Sequence, residues 1–367
     1  VYKRQGVSMQ VDWQTDNFLF TSITAYRDFE AADWIDADFA DIDALTRRNE
    51  QNQDSFSQEL RISSEYEKFN YVAGLYYFQQ DLDSTSDLRV GDDFTYMIQD
   101  RSPLLTSIPG AFPGGTGALN YAEQEHESYA IFGQADYNLT DSWILTAGLR
   151  WTKENKDLIN TFTEDASSCN PVDCFQFDPG WGFWLFAPLA PRDDVDETID
   201  DDQFTGTVKL SWFFNDSTMF YASYGTGYKS GGVNVDRIAE SLDVVFDAET
   251  SDSWELGMKA DFPEQALRIN LALHRTDTDD LQTVSFQGTG FALSNAGVAE
   301  TYGAELEVFW FPTETLDVTL GYAYNHGEYA DFEAGDCWIG TPWHTGMEDP
   351  GMLENGSCDR SGGCLLY

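Results

Sequence analysis

The sequence predicts an all-β protein, an antiparallel transmembrane β-barrel represented by about twelve strands. Three observations lead there. Apolar and polar residues alternate with a period of two on both sides of repeated short turns. Aromatic residues make up 15% of the chain and crowd those turns, as the girdles at a membrane interface require. Short turns also alternate with long loops, and helical periodicity is missing. No run reaches the ~18 apolar residues of a membrane helix. A barrel strand needs none, because only every second residue faces lipid.

Taken in order, a first strand runs from Gly6 to Trp13, turns at Thr15-Asp16-Asn17 and returns from Phe18 to Phe29. An acidic loop is expected to Asn52. The next hairpin sets Phe56, Leu60 and Ile62 on one face and Ser57, Glu59 and Arg61 on the other, turns at Glu65 to Lys68 and returns from Phe69. A long loop is expected from Ser84 to Ala122. The third hairpin turns at Thr140-Asp141-Ser142, with Trp143, Leu145, Leu149 and Trp151 opposite Thr146 and Arg150. A second long loop spans Lys156 to Asp201. The clearest hairpin follows, from Gln203 to Gly232. Phe204, Val208, Leu210 and Trp212 alternate with Thr205, Thr207 and Lys209; beyond Asn215-Asp216-Ser217, Phe220, Ala222, Tyr224 and Tyr228 alternate with Tyr221, Ser223 and Gly225. After a loop from Val233 to Asp247, a fifth hairpin turns at Pro263-Glu264-Gln265, and a sixth turns at Pro312-Thr313-Glu314. A loop or outer hairpin separates these two. The alternation assigns Arg61, Arg150, Lys209, Glu255, Lys259 and Glu305 to a wet lumen, and Leu145, Leu149, Leu210, Leu256, Leu271 and Leu306 to lipid.

The ends read differently from the rest. Val1 to Gln5 can be encoded as GTG TAT AAG AGA CAG, whose reverse complement, read one base in, encodes Cys364-Leu365-Leu366-Tyr367. An inverted repeat of this kind looks like a sequencing adaptor translated with an environmental gene fragment. Residues 1–5 and 364–367 are accordingly set aside, leaving residues 6–363 as a barrel fragment cut from something longer. Without Cys364, four cysteines remain in two local pairs, Cys169 with Cys174 and Cys337 with Cys358. Pairing within each loop is the simplest of three connectivities and implies an oxidising compartment. A zinc site lacks the expected spacing.

The balance of 64 acidic against 20 basic residues, net −44, excludes a nucleic-acid partner, whose phosphates need a basic face. Gly225-Thr226-Gly227-Tyr228-Lys229-Ser230 ends like a phosphate loop, but Tyr228 stands where the Walker spacing needs Gly. Small side chains in a strand account for it better. Asp36, Asp38, Asp41 and Asp43, and Asp193, Asp194, Asp196 and Glu197, lack the spacing of a calcium loop and read as solvated. His126, His274, His326 and His344 are scattered and suggest no site; no metal, cofactor or catalytic residue is assigned. Trp181, Phe183 and Trp184 lie in the second long loop beside Cys169 and Cys174. They suit capture of an aromatic chelate or a sugar, or else pack the loop onto its neighbours.

The segments FTSITAYR, YGTGYKSGGVN, ETSDSWELGMKADF and NAGVAETYGAELEVFWFP occur here in an order that resembles the TonB-dependent receptors. The resemblance spans nearly all of residues 6–363. It implies a larger barrel of about 22 strands with a plugged lumen, of which this chain supplies the middle, the plug and coupling box lying upstream of Gly6. It implies residence in the outer membrane, against lipid and lipopolysaccharide. It also implies import of a scarce small-molecule substrate (an iron chelate, cobalamin or an oligosaccharide), driven by a TonB-type energy-coupling protein. The alternatives are a passive porin, which has no plug, and a secreted all-β hydrolase using two of the many carboxylates.

Overall fold

The fold comes from a computed structural model, which describes residues 2–39, 41–94, 96, 114–165, 192–236, 243–286, 291–295 and 297–331. Twelve long strands form one antiparallel sheet. They are β1 (Tyr2–Gln14), β2 (Leu19–Asp36), β3 (Leu45–Glu65), β4 (Phe69–Val90), β5 (Gly117–Thr140), β6 (Trp143–Asp165), β7 (Val195–Asn215), β8 (Thr218–Lys229), β11 (Glu249–Phe262), β12 (Leu267–Asp279), β15 (Val298–Thr313) and β16 (Leu316–Asp331). Between them lie two small ribbons, β9 (Gly232–Val233) with β10 (Val245–Phe246), and β13 (Gln282–Phe286) with β14 (Phe291–Asn295). Each long strand pairs with the next along the chain, and β1 and β16 are the edges, so the sheet is a partial barrel. No helix among the described residues is long and apolar enough to cross a membrane, which has no bearing on strands.

Register settles the faces, because directly opposed residues point to the same side. One row runs Phe69, Tyr137, Leu145, Leu210, Ala222, Leu256, Leu273, Ala304, Tyr324 across nine strands. Leu149, Leu271 and Leu306 sit an even number of residues away on the same strands. Leu149 and Leu256 are 59% and 58% exposed, as lipid-facing side chains are when no lipid is counted. The other face carries Arg61 opposite Gly74, Gly74 opposite Phe132 and Phe132 opposite Arg150; it continues with Lys209, Ser223 and Glu255. All twelve expected orientations hold. Aromatics mark the short-turn end, where Trp143 stacks on Trp212 at 5.4 Å and Trp13 on Phe20 at 5.5 Å.

The strands outrun the apolar pattern. β3 starts at Leu45 where a loop was expected to Asn52, β4 and β5 invade the expected loop from Ser84 to Ala122, and β6 and β7 reach Asp165 and Val195. β5 has 24 residues, more than twice the roughly 9–11 that cross the hydrocarbon. The reason is that alternation records only the lipid-facing part of a strand, whereas the backbone ladder continues wherever a neighbour offers partners. Beyond the last apolar row the outer face turns acidic: Asp28, Asp54, Asp81, Glu125 and Asp157 are direct neighbours in one row. Inward-facing Leu45, Leu88, Val90, Ala118 and Leu158 bury almost completely at this same end, where loops cover the sheet.

Candidate functional site

The candidate site lies on the inner face, at the long-loop end. After Lys229 the chain does not stay with the wall but crosses the concave side as the segment Ser230–Asp236. Gly232 permits the crossing, since a Cβ there would come within 2.4 Å of the Phe246 ring. The segment is tied to strands far from its origin. Lys156 on β6 donates to the Gly231 carbonyl at 2.7 Å, and Asn160 Nδ2 on the same strand donates to the Val235 carbonyl at 2.9 Å. Asp236 forms an ion pair with Arg47 on β3. Asn234, 3% exposed, stitches the segment to the second ribbon: its Nδ2 donates to the Leu293 carbonyl at 2.9 Å, and the Leu293 N–H donates back to Oδ1 at 2.7 Å. The segment lies on the face that carries Arg61, Arg150, Lys209 and Glu255, opposite the apolar one, which makes this face the lumenal one.

Two cavities open beside it. The upper, of about 410 Å³, is lined by Phe29, Arg47, Asn49, Ser86, Asn120 and Phe291, among others. The lower, of about 440 Å³, holds Tyr76, His126, Arg150, Glu154 and Tyr228. Arg150 lies 5.4 Å from the Tyr76 ring and 5.6 Å from the Phe132 ring, and its Nε donates to Thr152 Oγ1 at 2.9 Å. A guanidinium flanked by rings keeps its charge in a partly dry wall. His126 Nε2 is 3.6 Å from Glu154 Oε2 and meets Phe78 edge-on. Burial lowers the Lys156 pKa against the pull of Glu154 and Asp201, and burial together with the Asp201 hydrogen bond raises that of Tyr228. Both groups lie on the loop side of the apolar band.

Tyr228 corrects an expectation. Alternation placed it with Tyr224 on the apolar face, but β8 parts from β7 beyond Thr207 and Gly225 while staying paired with β11 to Lys229, and across that gap the ring reaches the inner face. Its hydroxyl donates to Asp201 at 2.6 Å. Other lumenal groups carried no sequence signal. Arg47 sits in a stretch read as loop, and Asn120, Asn160 and Asn234 are single amides whose partners lie tens of residues away. The acidic clusters have partly structural roles. Asp38 accepts the Leu45 N–H at 2.7 Å and Asp194 accepts the Phe162 N–H at 3.0 Å, each closing a strand end. Among the described residues no group of His, Cys, Asp or Glu is arranged to hold a metal ion. Trp181, Phe183 and Trp184, and Cys169, Cys174, Cys337 and Cys358, lie outside the described residues.

A sheet with an apolar outer band and a polar inner wall crossed by one segment is the wall of a barrel, and the family model described as TonB dependent receptor-like, beta-barrel matches residues 1–347. The chain belongs to that family. It is therefore an outer-membrane β-barrel chain of a family of transport receptors. The pesticin receptor of Yersinia pestis is 33% identical over 184 residues, 50% of this chain and 24% of that protein. Among solved structures, the ferric yersiniabactin uptake receptor of Yersinia pestis superposes with a TM-score of 0.67 at 20% identity, covering 90% of this chain and 43% of that one. A siderophore receptor of Acinetobacter baumannii gives 0.64 at 17% identity, covering 93% and 48%. The chain thus spans less than half of each of these three proteins, and the likeness in structure is one of fold.

Proposed function

We propose that this chain is part of the barrel of an outer-membrane receptor that imports an iron chelate by TonB-coupled active transport. The observation that carries this reading is the lumenal wall itself. Polar and cationic groups line two cavities beside the crossing segment, on a sheet of the receptor family. A wall built to hold a ligand suits a receptor; a passive pore needs a clear lumen and weak contacts. The names of the relatives, a ferric chelate uptake receptor and a siderophore receptor, favour iron chelates over cobalamin or an oligosaccharide. In this reading a plug lies upstream of Gly6, the outer face meets lipid and lipopolysaccharide, and residues 1–5 and 364–367 are adaptor sequence. Trp181, Phe183 and Trp184 then form a capture patch, stiffened by the Cys169–Cys174 bridge, with Cys337–Cys358 closing the last loop.

The test is uptake of radiolabelled ferric chelates by cells that lack their own receptors and express the intact gene. Uptake should vanish without a working energy-coupling protein, while surface binding persists. Uptake that proceeds equally without coupling would identify a passive porin instead.

A further inference from the structure

Asp236 occupies a ready-made carboxylate cradle. The Arg47 guanidinium holds it from one side, and the Phe291 N–H donates to its Oδ2 at 2.9 Å from the other. The guanidinium is itself aimed: its Nε donates to Ser86 Oγ at 2.8 Å and to Asn49 Oδ1 at 3.0 Å, which turns an Nη edge toward Asp236. An oriented guanidinium and a backbone N–H are donors that suit any carboxylate. Asp236 belongs to the crossing segment rather than to the wall, and it borders the 410 Å³ cavity, whose remaining lining is amides, hydroxyls, rings and aliphatic side chains with one further carboxylate, Asp33. Arg47 and Asp236 are 16% and 19% exposed, enough for a competitor to approach. With a net charge of −44, the protein repels anions wherever no cation is placed to receive them.

We propose that the upper cavity binds a carboxylate-bearing metal chelate, whose carboxylate displaces Asp236 from the Arg47–Phe291 cradle. The inference rests on the reading of the chain as a chelate receptor and names its substrate class. The exchange keeps the cradle's hydrogen bonds and returns the Asp236 side chain to water. Lys156 still holds Gly231, and Asn160 and Leu293 still hold Val235 and Asn234, so the exchange is local to Asp236 and leaves the rest of the crossing segment in place.

The experiment uses the intact receptor in outer-membrane vesicles. The probes are radiolabelled ferric citrate, which carries carboxylates, and a neutral ferric trihydroxamate, which carries none. Asp236→Asn removes the competing charge but keeps an acceptor for the Phe291 N–H, so ferric citrate should bind about tenfold tighter while the trihydroxamate is unaffected. Arg47→Gln should weaken ferric citrate by about ten- to a hundredfold, and Arg47→Lys, with charge but no fork, should recover part of that loss. Equal tightening of both probes by Asp236→Asn would mean general loosening and overturn the competition. A wild-type receptor that binds the trihydroxamate and not citrate would overturn the substrate class and leave the receptor reading standing. Binding of neither overturns both.

Discussion

At the scale of single residues, the lumenal wall is built from slots as much as from side chains. A Cβ on Gly74 would lie 2.4 Å from the Phe132 ring and 2.8 Å from the Leu60 carbonyl oxygen. The slot lets Phe132 lie flat, where it flanks Arg150. Gly74→Ala should push the ring or the strand aside and destabilise the barrel by ~1–3 kcal/mol. The temperature at which heat-modifiable gel mobility is lost reads this out, and an unchanged temperature would remove the slot argument. Glu154 supplies a pH dependence. Burial works to raise its pKa, but the polar groups of His126 (3.6 Å away) and Ser230 and the charge of Lys156 outweigh it and hold the carboxyl below its ordinary 4.5. A carboxyl depressed in the folded state contributes stability above its unfolded pKa and loses it as pH falls through the folded one. Acidification below about pH 4.5 should therefore loosen the segment that starts at Ser230 and expose it to proteolysis. Glu154→Gln should abolish that dependence.

At the scale of elements, each strand from β2 to β6 carries two chemistries on one face. Near the short turns the outer face is apolar; toward the loops it becomes a row of carboxylates. Val208, half exposed, lies among the lipid-facing residues, whereas Ser223 stands between Lys209 and Glu255 on the inner face. Val208→Arg should cost ~2–4 kcal/mol, and Ser223→Arg far less. Equal effects in an assembly assay would contradict the assignment of faces. In the acidic row, partial burial and then the charges of Asp81, Asp28 and Asp83 raise the pKa of Asp54. A raised folded-state pKa means that protonation favours the folded form, so the repulsion is relieved as pH falls through that value and is fully present at neutral pH. Asp54→Asn should then stabilise the barrel by ~0.2–1 kcal/mol at neutral pH and have little effect in acid. A destabilised variant would show that the carboxylate has a favourable partner instead.

At the scale of the whole molecule, function depends on coupling a mouth that captures to a lumen that admits. If the aromatic loop captures substrate, Trp181→Ala with Trp184→Ala, or Cys174→Ser, should weaken surface binding and leave barrel assembly intact. The local bridge would act by reducing the ordering needed on binding. Unchanged binding in both variants would return that loop to simple packing. The two cavities on the inner wall lie below the mouth, so Arg47→Gln and the loop variants belong to successive stages. Combining them should compound the defects.

Fold class, strand number and the orientation of each strand were legible in the sequence, because a barrel must satisfy lipid at every second residue and water at the others. That requirement is local and repeats, so Leu145, Leu210 and Leu256 announce their face without reference to one another. The apolar code stops where the membrane stops, which is why β3, β4 and β5 ran longer than their alternation. The site was hidden for a related reason. Arg47 and Asp236 stand 189 residues apart, and Asn160 meets Val235 across 75. Neither pair has a period or a motif. Only the packing of one segment across the inner face of many paired strands brings such residues within hydrogen-bonding distance.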